Sequence, residues 1–211
     1  MQETEYLTVK GFGRAETVVR KSRFIAQVER AATEDEAKDF VQSIKKQHWN
    51  ATHNCFAYIT GEGNGVQKAS DDGEPGGTAG MPILEAIKKK SIMDTVIVVT
   101  RYFGGIKLGA GGLIRAYGRA ANEGLDAAGI IRRVLMRKVH AGLDYTRLGR
   151  IENLLADTKY IVSEIHYTDR VVMDILVPVG SECGFTDWMT GITDGQVEIN
   201  KGKTEYVELV V

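Results

Sequence analysis

Residues 96–121 read VIVVTRYFGGIKLGAGGLIRAYGRAA, and the organisation of the chain follows from them. Val96, Ile97, Val98 and Val99 form a β-branched apolar run that ends at Thr100, the pattern of a buried strand. Arg101, Tyr102 and Phe103 come next, then a segment holding five glycines between Gly104 and Gly112, then a helix-like stretch carrying Arg115 and Arg119. Strand, glycine loop and helix in this order leave unpaired backbone N–H groups at a helix N-terminus, where the macrodipole favours negative charge. The stretch therefore reads as an anion site. Lys107 and the Arg101–Tyr102–Phe103 triplet add cations and aromatic rings, a combination suited to phosphate contacts and base stacking. Tight helix-on-sheet packing is the competing use of the same glycines.

Bulk properties narrow the classes. A chain of 211 residues with 43% hydrophobic and 26% charged residues is globular and long enough for one large or two small domains. No apolar run approaches the roughly 20 residues that span a bilayer, and the N-terminus MQETEYLTVK lacks a signal-peptide pattern, so the expectation is a cytoplasmic protein with no membrane partner. The net charge of −1 gives no global attraction to nucleic acid; such a role requires a local patch. Cys55 and Cys183 are far apart, and the expectation is two reduced, buried thiols with no zinc site.

Outward from the glycine loop, residues 6–9 and 16–28 are β-rich, with GFGR at 11–14 as a turn, and predict an N-terminal antiparallel hairpin. Residues 31–47 switch to helical spacing, with Thr33 and Glu36 as a capping box. A strand at 55–60 precedes a polar, glycine-rich connection over 61–80, whose length points to function. Pro82 opens a helix over 81–90, whose terminal lysines suit a solvated helix end, and Gly129 closes the helix that follows the glycine loop. From Ile130 the pattern restarts as βαββαβ, the order of a ferredoxin-like module. The expected domains are residues 1–130 and 131–211.

The loop SDDGEPGGTAG, residues 70–80, gathers Asp71, Asp72 and Glu74 ahead of Thr78 and a second helix N-terminus. Its spacing is not that of a calcium loop, and no metal is assigned. The carboxylates can instead take a cation such as Arg101. Gly109, Gly111 and Gly112 fit neither a P-loop nor a dinucleotide fingerprint. They are closer to the phosphate loop of the GHMP kinases, but Leu113 and Ile114 stand where that family places serines. His53 and Cys55 share one strand face, which permits a Cys/His pair, although packing neighbours have the same spacing. His48, Trp49 and Asn50 approach the same region. His140 and His166 read as isolated residues with structural roles.

The runs HWNATHNCFAY (48–58), SDDGEPGGTAGMPILEAI (70–87) and VVTRYFGGIKLGAGGLIRAYGRAA (98–121) resemble the IMPACT/YigZ family, in the same order. The tail resembles the C-terminal domain of the family's bacterial branch. The resemblance implies an α+β protein: a split β-α-β domain shared with a ribosomal small-subunit protein and the GHMP kinases, followed by a ferredoxin-like βαββαβ domain. It implies a translation-associated regulatory protein that binds RNA or the ribosome, rather than an enzyme, and no cofactor. The kinase-regulating role of the eukaryotic relatives does not carry over. The binding reading rests on Asp71, Asp72, Glu74, Thr78, His53, Arg101, Tyr102, Phe103, Lys107, Gly109, Gly111, Gly112 and Arg115, as a cleft between two glycine loops. Two alternatives stay open: a hydrolase or transferase acting on a phosphorylated small molecule or a peptide, and a protein–protein adaptor.

Overall fold

The computed structural model describes residues 3–61 and 65–211. The chain divides into two compact units, residues 1–132 with 210–211, and residues 133–209.

In the first unit the strands are β1 (Glu5–Val9), β2 (Gly13–Val19), β3 (Ser22–Arg30), β4 (His53–Thr60), β5 (Val66–Ser70) and β6 (Thr95–Tyr102). Helices α1 (Glu34–Gln47), α2 (Gly80–Lys89) and α3 (Ala110–Ala128) complete it. The main sheet has the order β2-β3-β6-β4-β5, and each neighbouring pair is antiparallel. Because β3 and β4 both run antiparallel to β6 between them, β3-α1-β4 is a parallel crossover split by one strand.

The apolar run of β6 has a direct cause. Val96 and Val98 pack under α1 with Val41 and Ile44, while Ile97 and Val99 pack under α2 and α3 with Ile87 and Leu125. A central strand covered on both faces needs apolar residues at every position. α1 starts with the expected capping box: Glu36 N–H donates to Thr33 Oγ1 at 3.2 Å and Thr33 N–H to Glu36 Oε2 at 3.3 Å. α3 lies close on β3, since a Cβ on Gly124 would stand 2.9 Å from Ala26 Cβ and from Val28 Cγ2.

Three expectations need correction. The connection over 61–80 is not one loop, because β5 occupies Val66–Ser70 and pairs with β4 along its length; residues 62–64 lie outside the described residues. The hairpin is β2–β3, turned by Arg20 and Lys21, both with positive φ (46° and 67°). Two central residues with φ > 0 make a type I′ turn, whose usual sequence is Asn-Gly, so the pair Arg-Lys gave no turn signal. Cys183 is exposed, not buried.

The second unit carries β7 (Ile130–Leu143, entering from the first unit), a 3-10 turn at Tyr145–Arg147, α4 (Leu148–Ala156), β8 (Ile161–Tyr167), β9 (Val171–Pro178), α5 (Glu182–Ile192) and β10 (Glu198–Val210). The strand order is β10-β7-β9-β8. Val139, Ala141, Met173, Ile175 and Val177 face α4 and α5 through Ile151, Leu155, Phe185 and Met189. Both units are thus α+β, each with its own core. No helix among the described residues is long and apolar enough to cross a membrane.

Candidate functional site

Side chains alternate along β6, so Arg101 shares the face of Ile97 and Val99 and points to the α2/α3 side, where the apolar cover gives out. Its strand partners are Phe24 on β3 and His53 on β4. Arg101 is only 5% exposed, and its guanidinium lies 5.4 Å from the centre of the Phe24 ring and 5.3 Å from that of Phe103. A buried cation needs a buried anion. Glu74 supplies it: Arg101 Nη1 donates to Glu74 Oε1 at 2.6 Å, and the Tyr117 hydroxyl donates to the same oxygen at 2.8 Å. The Cys55 thiol donates to the Asp71 carbonyl at 2.9 Å, and its sulfur lies 3.4 Å from the Tyr117 hydroxyl. Burial pushes this thiol up to about 12, so Cys55 is a neutral core group and not the nucleophile of a Cys/His pair.

The three carboxylates of the 70–80 loop have different uses. Asp71 does not meet Arg101. Its oxygens accept from Gly77 N–H (2.8 Å), Ala79 N–H (3.0 Å) and Gly80 N–H (2.8 Å), which fills the N-terminus of α2 with the chain's own anion. Burial alone would raise its pKa; the three backbone donors outweigh burial and hold it below the usual carboxylate range. Asp72 accepts from Lys45 Nζ at 2.6 Å and from Asn54 N–H at 2.7 Å. Only Glu74 takes Arg101. Thr78 is buried and donates to the Pro75 carbonyl at 2.6 Å, closing the loop on itself.

A cavity of about 430 Å³ lies over this network, lined by Thr52, His53, Glu74, Arg101, Phe103 and Lys107, with Leu108, Gly109 and Ala110 along its α3 side. His53 Nδ1 lies 2.8 Å from the Asp72 carbonyl, which makes it the protonated nitrogen; Nε2 then faces Glu74 Oε2 at 3.9 Å. Gly109 is the N-cap of α3 with φ of 71°, a conformation that glycine adopts without strain, and no side chain among the described residues caps this helix. The N-terminus of α2 is therefore occupied and that of α3 is open.

Beside this cavity a second one of about 330 Å³ is lined by Arg20, Leu108, Gly112, Arg115 and Arg119. The hairpin turn and the glycine loop form one surface here. A Cβ on Gly104 would lie 2.1 Å from the Lys21 backbone, and Gly104 N–H donates to Ser22 Oγ at 3.2 Å. Arg20, Lys21, Lys107 and Arg115 are all exposed and hold no ion pair among the described residues, whereas Arg14 and Arg23 share Glu16 and Arg119 is held by Glu123.

The structure thus gathers His53, Glu74, Arg101, Phe103, Lys107 and Gly109 at one cavity, and Gly112 and Arg115 at its neighbour. It does not bring Asp71, Asp72 or Thr78 to either, and Gly111 lies in the first turn of α3. Tyr102 points to the opposite face of the sheet, with its hydroxyl 2.9 Å from His48 Nδ1. Trp49 is 82% exposed and lines neither cavity. Arg20, Lys21 and Tyr117 escaped the sequence reading. In the second unit, His140 and His166 are not isolated: both lie against Asp174.

The fold defines an α+β chain of two units, and comparison with known proteins identifies its relatives. Residues 20–125 match the Impact N-terminal domain, and residues 142–196 match a domain of unknown function (DUF1949). The chain belongs to the IMPACT family. It is 53% identical to the IMPACT family member YvyE of Bacillus subtilis, over 98% of this chain and 95% of that one. It is 32% identical to the IMPACT family member YigZ of Escherichia coli, over 86% of this chain and 90% of that one. A solved structure described as the crystal structure of a hypothetical protein is similar to 93% of this chain and 97% of its own, with 29% identity and a TM-score of 0.61.

Proposed function

We propose that this protein is a translation-associated RNA-binding protein whose contact surface is the rim formed by the β2–β3 turn, the glycine loop and the start of α3. One observation carries the reading: Arg20, Lys21, Lys107 and Arg115 are exposed cations without carboxylate partners among the described residues, grouped around a helix N-terminus that opens on glycines. An overall charge of −1 makes such a local grouping the relevant electrostatic feature. Phe103, Ile106 and Ile114, each more than 40% exposed, supply apolar and stacking surface beside the cations. Arg101 lines the cavity from beneath, held by Glu74. The split β3-α1-β4 crossover supports a ribosomal-protein-like reading of the first unit. The βαββαβ order with strands β10-β7-β9-β8 supports a ferredoxin-like reading of the second.

The test is RNA binding followed against salt. Lys107→Ala with Arg115→Ala should weaken binding, and on single-stranded RNA should reduce the slope of log K against log salt by about 0.7 for each lost contact. Binding that ignores salt, or a double variant that binds like the parent, overturns the reading.

A hydrolase or transferase is favoured by a different observation: His53 carries a ring nitrogen at a cavity that Lys107 and the open start of α3 also border. A sugar phosphate, nucleotide or dipeptide that raises the melting temperature of the parent but not of His53→Ala would select it.

A further inference from the structure

We propose that the face of the second unit's sheet opposite α4 and α5 holds, beside its own apolar cluster of Met136 and Leu176, a divalent transition-metal site of the Zn²⁺ class, with Glu164, His166 and Asp174 as ligands. The face opposite α4 and α5 receives the alternate residues of three adjacent strands. His140 on β7 stands opposite Asp174 on β9, and Asp174 stands opposite Glu164 on β8. β8 would not present both of its ligands without an irregularity. Val162 packs into the core, and strict alternation would send Glu164 and His166 the same way. A register shift between Val162 and Glu164 turns them to the Asp174 side. Bulges commonly re-aim side chains in this manner.

The resulting geometry is a triangle of donor atoms around a gap. His166 Nε2 lies 3.5 Å from Asp174 Oδ2 and 3.7 Å from Glu164 Oε2, and one donor atom from each of the three residues lies within 4.8 Å of the others. Neither His166 separation is a hydrogen bond by ordinary geometry. With bonds of about 2.0–2.2 Å, tetrahedral zinc sets its ligand atoms about 3.3–3.6 Å apart, so modest movement of two exposed side chains closes the triangle. Asp174 is 5% exposed and already oriented: His140 Nδ1 lies 2.6 Å from Oδ1, leaving Oδ2 toward the gap. A hydrogen bond on the non-ligating oxygen is the usual outer support of a metal-binding carboxylate. Lys138 Nζ, 3.8 Å from Asp174 Oδ2, is the opposing charge on this face; it sits on a flexible stem that can swing to solvent. One imidazole and two carboxylates favour a borderline metal over Mg²⁺ or Ca²⁺, with water completing the shell.

The experiment uses the full chain, freed of metal with a chelator and titrated with Zn²⁺ by calorimetry, with Co²⁺ as a spectroscopic probe. One equivalent should bind, raise the melting temperature and, for Co²⁺, give visible d–d absorption. His166→Ala and Glu164→Gln, both at exposed positions, should each weaken binding at least tenfold. Cys183→Ser should leave it unchanged, which separates the site from chance capture by the exposed thiol. No thermal shift and no Co²⁺ spectrum, binding retained in His166→Ala, or binding lost in Cys183→Ser would each overturn the assignment.

Discussion

Glu74 decides how the first unit's site is built. Its side chain is buried, and it compensates the equally buried Arg101. Glu74→Gln is expected to destabilise by about 3–5 kcal/mol, because removing one partner leaves an uncompensated buried charge. A urea titration checks this, and a double-mutant cycle with Arg101→Met should show strong non-additivity. Asp71 gives a pH prediction. Its folded pKa lies below the ordinary aspartate value of 3.8, so its contribution is fully present above about pH 4 and is lost as pH falls through the folded value. Asp71→Asn should therefore flatten the acid limb of the stability curve below pH 4 while changing it little between pH 6 and 8 apart from a constant offset. The string SDDGEP carried the expectation that a carboxylate takes Arg101, and Glu74 does so, but with three carboxylates side by side it did not say which one, nor that Asp71 caps α2; those roles were assigned by which donors the fold placed beside each.

Among the elements, the β2–β3 turn is where local preference and the observed residues disagree. Arg20 and Lys21 both occupy the left-handed region, at a cost of about 1 kcal/mol or more for each residue. Replacing the pair, Arg20→Asn with Lys21→Gly, should stabilise the protein by about 1–2 kcal/mol in thermal or chemical unfolding. The same change should weaken RNA binding, since it deletes two of the rim's cations. A variant that is more stable and binds RNA unchanged would separate the strain from the proposed function. By contrast, α1 was legible to within its capping box because its signals are local: Thr33, Glu36 and the spacing of Ala37, Val41 and Ile44. The strand β5 was not, because its residues, VQKAS, are half-exposed or exposed and carry no apolar alternation.

At the scale of the whole molecule, each unit has its own hydrophobic core: one set around Ile97 and Leu125, the other around Phe185 and Met189. Phe185→Ala should cost about 3–5 kcal/mol in the second unit. Hydrogen exchange should then show protection lost in β7–β10 and retained in β3, β4 and β6; loss throughout the chain would mean that the two cores unfold as one cooperative unit.

What the amino-acid order determined by itself is what depends on near neighbours and periodicity: the buried strand at Val96–Val99, the glycine loop, the α3 start at its glycines, the βαββαβ order of the second half, and the family resemblance carried by three contiguous motifs. What only the tertiary structure decided is which polar groups meet. Phe24 and His53 flank Arg101 because β3 and β4 pair with β6, and Arg20 lines one cavity with Arg115 because a hairpin turn packs on Gly104. Likewise His140, Glu164 and His166 converge on Asp174 across three strands. The physical reason is range: hydrophobic spacing and capping act over a few residues and are written along the chain, whereas charge pairing and ligand geometry act through space between residues tens of positions apart.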